Sequence, residues 1–155
     1  MTLEQIGVLT GILSAVFTGV YFLVKDFKEK RKKLRIKISG EWGNEGDVFL
    51  SKVETHFVEL ELEADIEDGE ITGTIQSRVV LNETISPLCS VNGKLKFTSA
   101  EIQITHLRHG ELLVLGKAKL KYKKKVLHWN LIEGVADFFP NKTKLVKYND
   151  IKNGL

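Results

Sequence analysis

The feature that most constrains the fold is an alternation of apolar and polar residues that begins near Ile36 and recurs along the chain. Leu60 and Leu62 alternate with glutamates, and Leu120 and Tyr122 alternate with lysines. A period of two places alternate side chains on opposite faces of a strand, so each segment is predicted to be a strand with one buried face. The same pattern predicts strands around 36–42, 71–76, 95–97, 102–104 and 127–131.

Turn-forming dipeptides separate many of these segments. Asp68-Gly69, Asn92-Gly93 and His109-Gly110 tolerate the positive φ angles of tight hairpins. Short strands with tight connections favour an antiparallel meander of about eight to ten strands, as a closed barrel or a sandwich. We favour a small barrel, because closure removes exposed strand edges. The predicted fold class is mainly β.

An uncharged stretch of 19 residues, Ile6 to Val24, precedes the β region. As a helix it would measure about 28 Å, close to the hydrocarbon thickness of a bilayer. Apolar residues occupy every side of this helix, which favours a transmembrane span over a buried core helix. A cleaved signal peptide would carry positive charge before the apolar run, whereas only Glu4 is charged there, so we expect an uncleaved anchor.

A polybasic run follows directly, with eight basic and two acidic residues between 25 and 37. By the positive-inside rule, the side after the span stays in the cytoplasm and the N-terminus is translocated. The predicted organisation is therefore residues 1–24 as N-terminus and span, 25–37 as juxtamembrane segment, and 38–155 as cytoplasmic β domain. Anionic lipid headgroups are the expected partners of the basic side chains Lys30, Arg31, Lys32 and Lys33.

The span also carries small residues at every fourth position, which share one helix face. Small side chains let two helix backbones approach closely, and close packing drives helix association in lipid. We therefore expect self-association of the spans and a homo-oligomer. The residues of this predicted face are Gly7, Gly11, Ala15 and Gly19.

Charge is unevenly distributed over the β domain. Residues 41–70 contain eleven acidic residues and one base, Lys52, whereas residues 117–147 contain nine lysines and two acidic residues. These rows are first interpreted as solvated outer faces of the sheet. Because acidic residues outnumber basic ones over 38–155, no DNA or RNA polymer is expected as a partner.

Enzyme signatures are missing from the sequence: there is no phosphate-binding GxxxxGK[ST] loop, no GxSxG elbow and no HExxH pair. The single cysteine, Cys89, is interpreted as a buried small side chain and agrees with a reducing compartment. We therefore expect no catalytic residues, no metal site and no cofactor.

A ligand-binding pocket is the more plausible site. If Ile102 and Ile104 point into the barrel, alternation places His106 and Arg108 on the same side, near its mouth. Arginine is suited to bidentate contact with phosphate, and an indole can stack on a base. The candidate ligand-binding residues are Arg108, His106, Trp129, Trp42 and Arg78, and the two tryptophans serve equally well as core residues.

One span with a small-residue face, a polybasic run and ISGEWG opening a β-meander together resemble a known architecture. The chain is similar to the membrane-anchored β-barrel effectors of CBASS anti-phage signalling, and also to the membrane-bound ancillary effectors of type III CRISPR systems. The segment LHWNLIEGVADFFPNKTKLVKY is similar in style to the closing strands of those lipocalin-like barrels. The CBASS effectors usually have two spans, whereas this chain has one.

Either resemblance implies antiviral defence at the bacterial inner membrane. A cyclic oligonucleotide, either a cyclic oligoadenylate or a cyclic dinucleotide, would bind the cytoplasmic domain. The membrane segments would then rearrange and breach the bilayer, by pore formation or general disruption. Two other functions remain open from the residues alone: a constitutive membrane-anchored scaffold that docks proteins on its β domain, and a lipid-binding barrel with an apolar lumen.

Overall fold

The structure is a computed structural model that describes residues 3–44, 56–79, 84–135 and 137–148, with the backbone alone described over 3–15. The chain divides into two compact units, Met1–Leu34 and Arg35–Leu155. The boundary lies within the polybasic run that the sequence places between the predicted span and the β domain.

A single long helix, α1, extends over Leu3–Ile38. Within its fully described part, residues 16–38, no stretch is long and apolar enough to cross a membrane. The predicted span at 6–24 extends beyond these residues, and the side chains of Gly7, Gly11 and Ala15 lie outside the described part. Nine large apolar side chains in the described part of α1 are exposed: Val16, Phe17, Val20, Tyr21, Phe22, Leu23, Val24, Phe27 and Ile36.

Eight antiparallel strands form a closed barrel in simple sequence order, and β1 pairs with β8 to close it. This confirms the prediction of a mainly β fold built as a closed antiparallel meander. The strands are β1 (Gly40–Gly43), β2 (His56–Ala64), β3 (Glu70–Val79), β4 (Cys89–Lys96), β5 (Ser99–Arg108), β6 (Glu111–Lys123), β7 (Val126–Gly134) and β8 (Lys142–Lys147).

The core lies inside the barrel and is built by the predicted alternation. In β2, Leu60 and Leu62 are buried between exposed glutamates, and in β6, Ala118 and Leu120 are buried between exposed lysines. Eight strands enclose a space that side chains can just fill. The largest fully buried side chains include Trp42, Trp129, Phe139, Leu60, Ile75, Ile104, Leu120 and Leu145.

The predicted turns are correct at two positions and wrong at a third. Asp68-Gly69 lies in the β2–β3 turn, where Gly69 has a φ angle of 78°. His109 and Gly110 have φ angles of 51° and 83° and form the tight hairpin between β5 and β6. Asn92-Gly93, however, lies inside β4, where Gly93 is paired with Ile71 and Ile102. A Cβ on Gly93 would lie 2.3 Å from the carbonyl oxygen of Glu101, so this glycine serves close strand approach rather than a turn.

Sequence analysis missed two tight connections, Lys124-Lys125 between β6 and β7 and Phe97-Thr98 between β4 and β5. Phe97 was expected on the inner face of a strand, yet it has a φ of 56° and is 67% exposed. An aromatic residue at positive φ is an unfavourable turn former, so no local signal marks it.

The end of α1 is tied to the barrel by two buried side chains. The guanidinium of Arg35 donates to the carbonyl of Ile66 in the β2–β3 turn, and Arg35 is only 8% exposed. The indole Nε1 of Trp42 donates to the carbonyl of Ile38 over 2.7 Å. Arg35 is therefore a structural member of the polybasic run rather than a headgroup contact.

Candidate functional site

One end of the barrel interior is polar, whereas the other end is apolar. Inward positions near the β2–β3 turn carry leucine and isoleucine, but inward positions at the opposite end carry amide, hydroxyl, thiol and imidazole groups. We call this set the polar end. Its members are Asn44, His56, Ser77, Cys89, His106 and Thr143, contributed by β2, β3, β4, β5, β8 and the residue that follows β1.

Asn44 organises the polar end. Its side-chain amide donates to the carbonyl of His56 at 2.8 Å and to the hydroxyl of Thr143 at 3.1 Å. Its Oδ1 accepts from the backbone N–H of Val58 at 2.7 Å. Because Asn44 is 3% exposed, these bonds are made in a weakly screened environment and fix the geometry between β1, β2 and β8.

Ser77 is the unusual member of the polar end. It is 1% exposed, and its Oγ has no hydrogen-bond partner in the described part of the chain. It lies opposite Val58, one strand from the Asn44 network. A buried hydroxyl without a partner costs free energy, so this position favours a ligand group or water that can bond to it.

Cys89 is the member of the polar end that β4 contributes. Its thiol donates to the carbonyl of Pro87 at 3.2 Å, and burial raises the pKa of the thiol. A thiol held neutral by desolvation is a poor nucleophile, which agrees with its expected role as a small buried side chain. No group of three or more His, Cys, Asp and Glu side chains among the described residues has the arrangement of a metal site.

His106 lies at the rim of the polar end, but Arg108 lies beyond it. His106 is half-buried, with Nδ1 3.2 Å from the carbonyl oxygen of Leu88. The β5–β6 register shifts between Ile104 and Thr105, and the pairing of β5 with β4 ends at Thr105. Arg108 is consequently exposed on a projecting hairpin, opposite Glu111, rather than inward as simple alternation predicts.

Both tryptophans lie on inward faces, as the alternation predicts, and pack as core residues. Trp42 is 1% exposed and meets Tyr122 edge to face. Trp129 is 2% exposed, and its Nε1 donates to the carbonyl of Pro140 at 2.8 Å. Neither ring presents a face to solvent, so neither is placed to stack on a base at the barrel surface.

Arg78 lies on the outer face of β3, away from the polar end. Its guanidinium carbon is 5.3 Å from the centre of the Phe57 ring on β2. Phe57, Gln76, Arg78 and Ile85 line a shallow depression of about 180 Å³. The structure thus brings His106 close to the polar end and leaves Arg78 and Arg108 at separate exposed positions.

Sequence analysis missed Asn44, Ser77 and Thr143 as candidate site residues. Each is a polar residue at a position where the alternation requires an apolar one, and all three lie at the same end of the barrel. That signal is present in the sequence, but it becomes specific only when strand order shows that the three positions meet.

The four basic side chains that we expect to contact lipid headgroups, at positions 30–33, are all exposed on α1. Lys30 pairs with Asp26 at 2.7 Å, and the guanidinium carbon of Arg31 is 4.7 Å from the Phe27 ring centre. Lys32 and Lys33 are likewise exposed. At Gly19, the described member of the small-residue face, an added Cβ would meet no atom within 4 Å.

The charge rows occupy different sides of the barrel. Exposed glutamates line β1 and β2, and Glu41 lies directly opposite Glu61. Exposed lysines line β4, β6 and β8, and Lys117 pairs with Glu133 at 3.1 Å. The exposed lysines of these three strands are Lys94, Lys96, Lys117, Lys119, Lys121, Lys123, Lys142 and Lys144.

These features define a closed eight-stranded antiparallel barrel with a polar end and a strongly polarised outer surface. No protein-family model, curated protein or solved structure matches the chain.

Proposed function

We propose that this chain is a membrane-anchored receptor whose barrel binds a cyclic oligonucleotide at the polar end. In this proposal α1 anchors the chain in the bacterial inner membrane with the barrel in the cytoplasm. Ligand binding drives oligomerisation of the helices and disruption of the bilayer, as a CBASS or type III CRISPR effector. The ligand is a cyclic oligoadenylate or a cyclic dinucleotide, and the activity is not enzymatic.

The observation that carries the proposal is the buried Ser77 hydroxyl, which has no hydrogen-bond partner among the described residues and lies one strand from the Asn44 network. A nucleotide offers donors and acceptors that suit such groups. His106 at the rim and Arg108 beyond it are cationic or polar groups that suit a phosphate. The proposed ligand contacts are therefore these polar groups. Stacking on Trp42 and Trp129 is no longer part of the proposal, because both rings are buried in the core.

The membrane part of the proposal is supported by the exposed apolar side chains of α1. Phe17 and Leu23 are more than two-thirds exposed within the chain, at 72% and 71%. Such side chains are stabilised when lipid or a second helix covers them. The small-residue face and the polybasic run, both features of the sequence, give the helix a packing surface and an orientation.

Titration calorimetry on the full chain in detergent tests ligand binding. Cyclic di- and oligoadenylates should give a saturable heat, and both Ser77→Ala and Arg108→Ala should weaken binding by about tenfold, as loss of one charge-assisted or buried bond does. Arg78→Ala is the matched control and should leave binding unchanged. Absence of heat with every cyclic nucleotide would contradict the proposal.

Dye release from vesicles tests the effector step. The ligand should release dye only when the full chain is present, and the double variant Gly11→Ile, Gly19→Ile should reduce release and crosslinked oligomers together. Release that persists with crosslinking unchanged would show that the small-residue face has no part in the activity.

A second candidate is a constitutive anchored docking module. It is favoured by exposed apolar side chains on the β5–β6 hairpin, where Leu107 and Leu112 are 66% and 67% exposed. A lipid-binding barrel has less support, because Leu60, Ile104 and Leu145 already pack in the interior.

A further inference from the structure

The outer face of β5 and β6 changes along its length from charged residues, which include the lysines of β6, to apolar residues. Directly opposed residues in an antiparallel pair share a face, and so do residues two apart in one strand. The register pairs Glu101 with Lys119 and Gln103 with Lys117, and then Leu107 with Leu112. The lysines therefore share one outer face with the apolar residues near the hairpin tip.

That tip projects from the barrel. The pairing of β5 with β4 ends at Thr105, and the pairing of β6 with β7 ends at Gly116. We call residues 105–114 the ribbon. Its outer face carries Leu107, Leu112 and Val114, which are 66%, 67% and 54% exposed. Its other face carries Arg108 opposite Glu111.

The cationic surface extends from β6 across β7 to β8. Lys119 is in register with Asn130, and Asn130 with Lys142. Lys121 is in register with His128, and His128 with Lys144. We call the exposed lysines of β6 and β8 the lysine face; they are Lys117, Lys119, Lys121, Lys123, Lys142 and Lys144.

The opposite side of the barrel is acidic. In the closed order, β2 lies four strands from β6. Its outward residues are Glu59, Glu61 and Glu63, all exposed. Any large anionic surface would therefore attract one side of this barrel and repel the other, which fixes an orientation.

We propose that the barrel docks on an anionic phospholipid bilayer through the lysine face, with Leu107, Leu112 and Val114 of the ribbon inserted among the headgroups. Clustered lysines bind anionic lipid, and apolar side chains next to them gain by leaving water at the acyl boundary. This inference goes beyond ligand binding at the polar end, and it does not require α1 to cross the bilayer.

The exposed apolar residues of the ribbon favour a bilayer over other anionic partners. A nucleic-acid backbone would satisfy the lysines but offers no apolar layer for Leu107 and Leu112. The acidic side of a second copy would also satisfy the lysines, but it would set these leucines against glutamates. Only a lipid surface matches both parts of the face.

A probe on the ribbon tests this docking in the full chain. In a Cys89→Ala background, Leu112→Cys is labelled with an environment-sensitive dye, and the protein is reconstituted in vesicles containing brominated lipid. With about 30% phosphatidylglycerol the dye should be quenched, and quenching should fall about tenfold in pure phosphatidylcholine or in about 1 M salt. A label at Thr72→Cys, on the acidic side, should stay unquenched throughout.

Charge variants complete the test. The triple variant Lys119→Glu, Lys121→Glu, Lys144→Glu should abolish quenching at Leu112, whereas the matched arginine triple variant should preserve it. An unquenched Leu112 label in anionic vesicles would overturn the proposal. The proposal would also be overturned if protection of the Leu112 label from water increased with the protein-to-lipid ratio but did not depend on the phosphatidylglycerol content. A second copy of the chain would then be the partner.

Discussion

At the scale of single residues, two kinds of inward polar group look alike in sequence: those whose hydrogen bonds are satisfied within the barrel and those whose hydrogen bonds are not. Trp42 and Trp129 were candidates for ligand stacking, yet both are buried with their indole N–H groups bonded to backbone carbonyls. Ser77 was not predicted as a site residue, yet its buried hydroxyl lacks a hydrogen-bond partner in the described part of the chain. The alternation of positions along a strand predicts which side chains are buried. Whether a buried polar group finds a hydrogen-bond partner depends on the neighbouring strands.

Trp42 should contribute to stability through both volume and its hydrogen bond. Trp42→Ala should lower the free energy of unfolding by about 3–5 kcal/mol, because a buried aromatic ring is lost. Trp42→Phe should cost about 1–3 kcal/mol, because the Ile38 carbonyl loses its indole donor. Urea denaturation followed by fluorescence of the remaining Trp129 measures both. Phe97→Ala, at an exposed turn, is the control, and a Trp42→Ala midpoint equal to that control would refute this role.

At the scale of elements, alternation identified most strands but not all of their ends. Hydrophobic period two located β2, β3, β6 and β7, because each of these strands has one buried and one solvated face. It failed at the ribbon, because both faces are exposed from Leu107 onward and the register shift after Ile104 interrupts the alternation. It also failed at Asn92-Gly93, because glycine serves close strand approach as well as turns.

The β2–β3 turn should make stability depend on pH through Asp65. The Asp65 carboxylate accepts backbone N–H bonds from Asp68 at 3.0 Å and Glu67 at 2.7 Å, and these bonds lower its pKa from the ordinary 3.8. A lowered folded-state pKa adds stability above about pH 4, which is lost as the pH falls through the folded pKa. Asp65→Asn should therefore be less stable than the parent near pH 7 and equal to it near pH 2.

Urea midpoints for Asp65→Asn and its parent across this pH range provide the measurement. Glu63→Gln, an exposed change on the neighbouring strand, serves as the control for loss of one negative charge. A stability difference that stays constant with pH would contradict the role assigned to the carboxylate.

At the scale of the whole molecule, closure of the meander creates the features that matter for function. Strand order gathers small polar residues from six places in the chain at one end of the barrel, and it places glutamate and lysine rows on opposite sides. The charge rows were visible in the sequence, whereas the polar end was not, because its members are separated by up to about a hundred residues, as Asn44 and Thr143 are. In our proposals, the polar end of the interior binds a ligand and the lysine face binds the bilayer.

Amide NMR of the full chain in micelles, titrated with a cyclic oligonucleotide, tests the central claim most directly. We predict that the largest shifts fall on the polar end, at Asn44, Ser77, His106 and Thr143, with little change along the lysine face. Shifts confined to Lys119, Lys121 and Lys144, or no shifts at any amide, would contradict the claim that the polar end of the barrel is the ligand site.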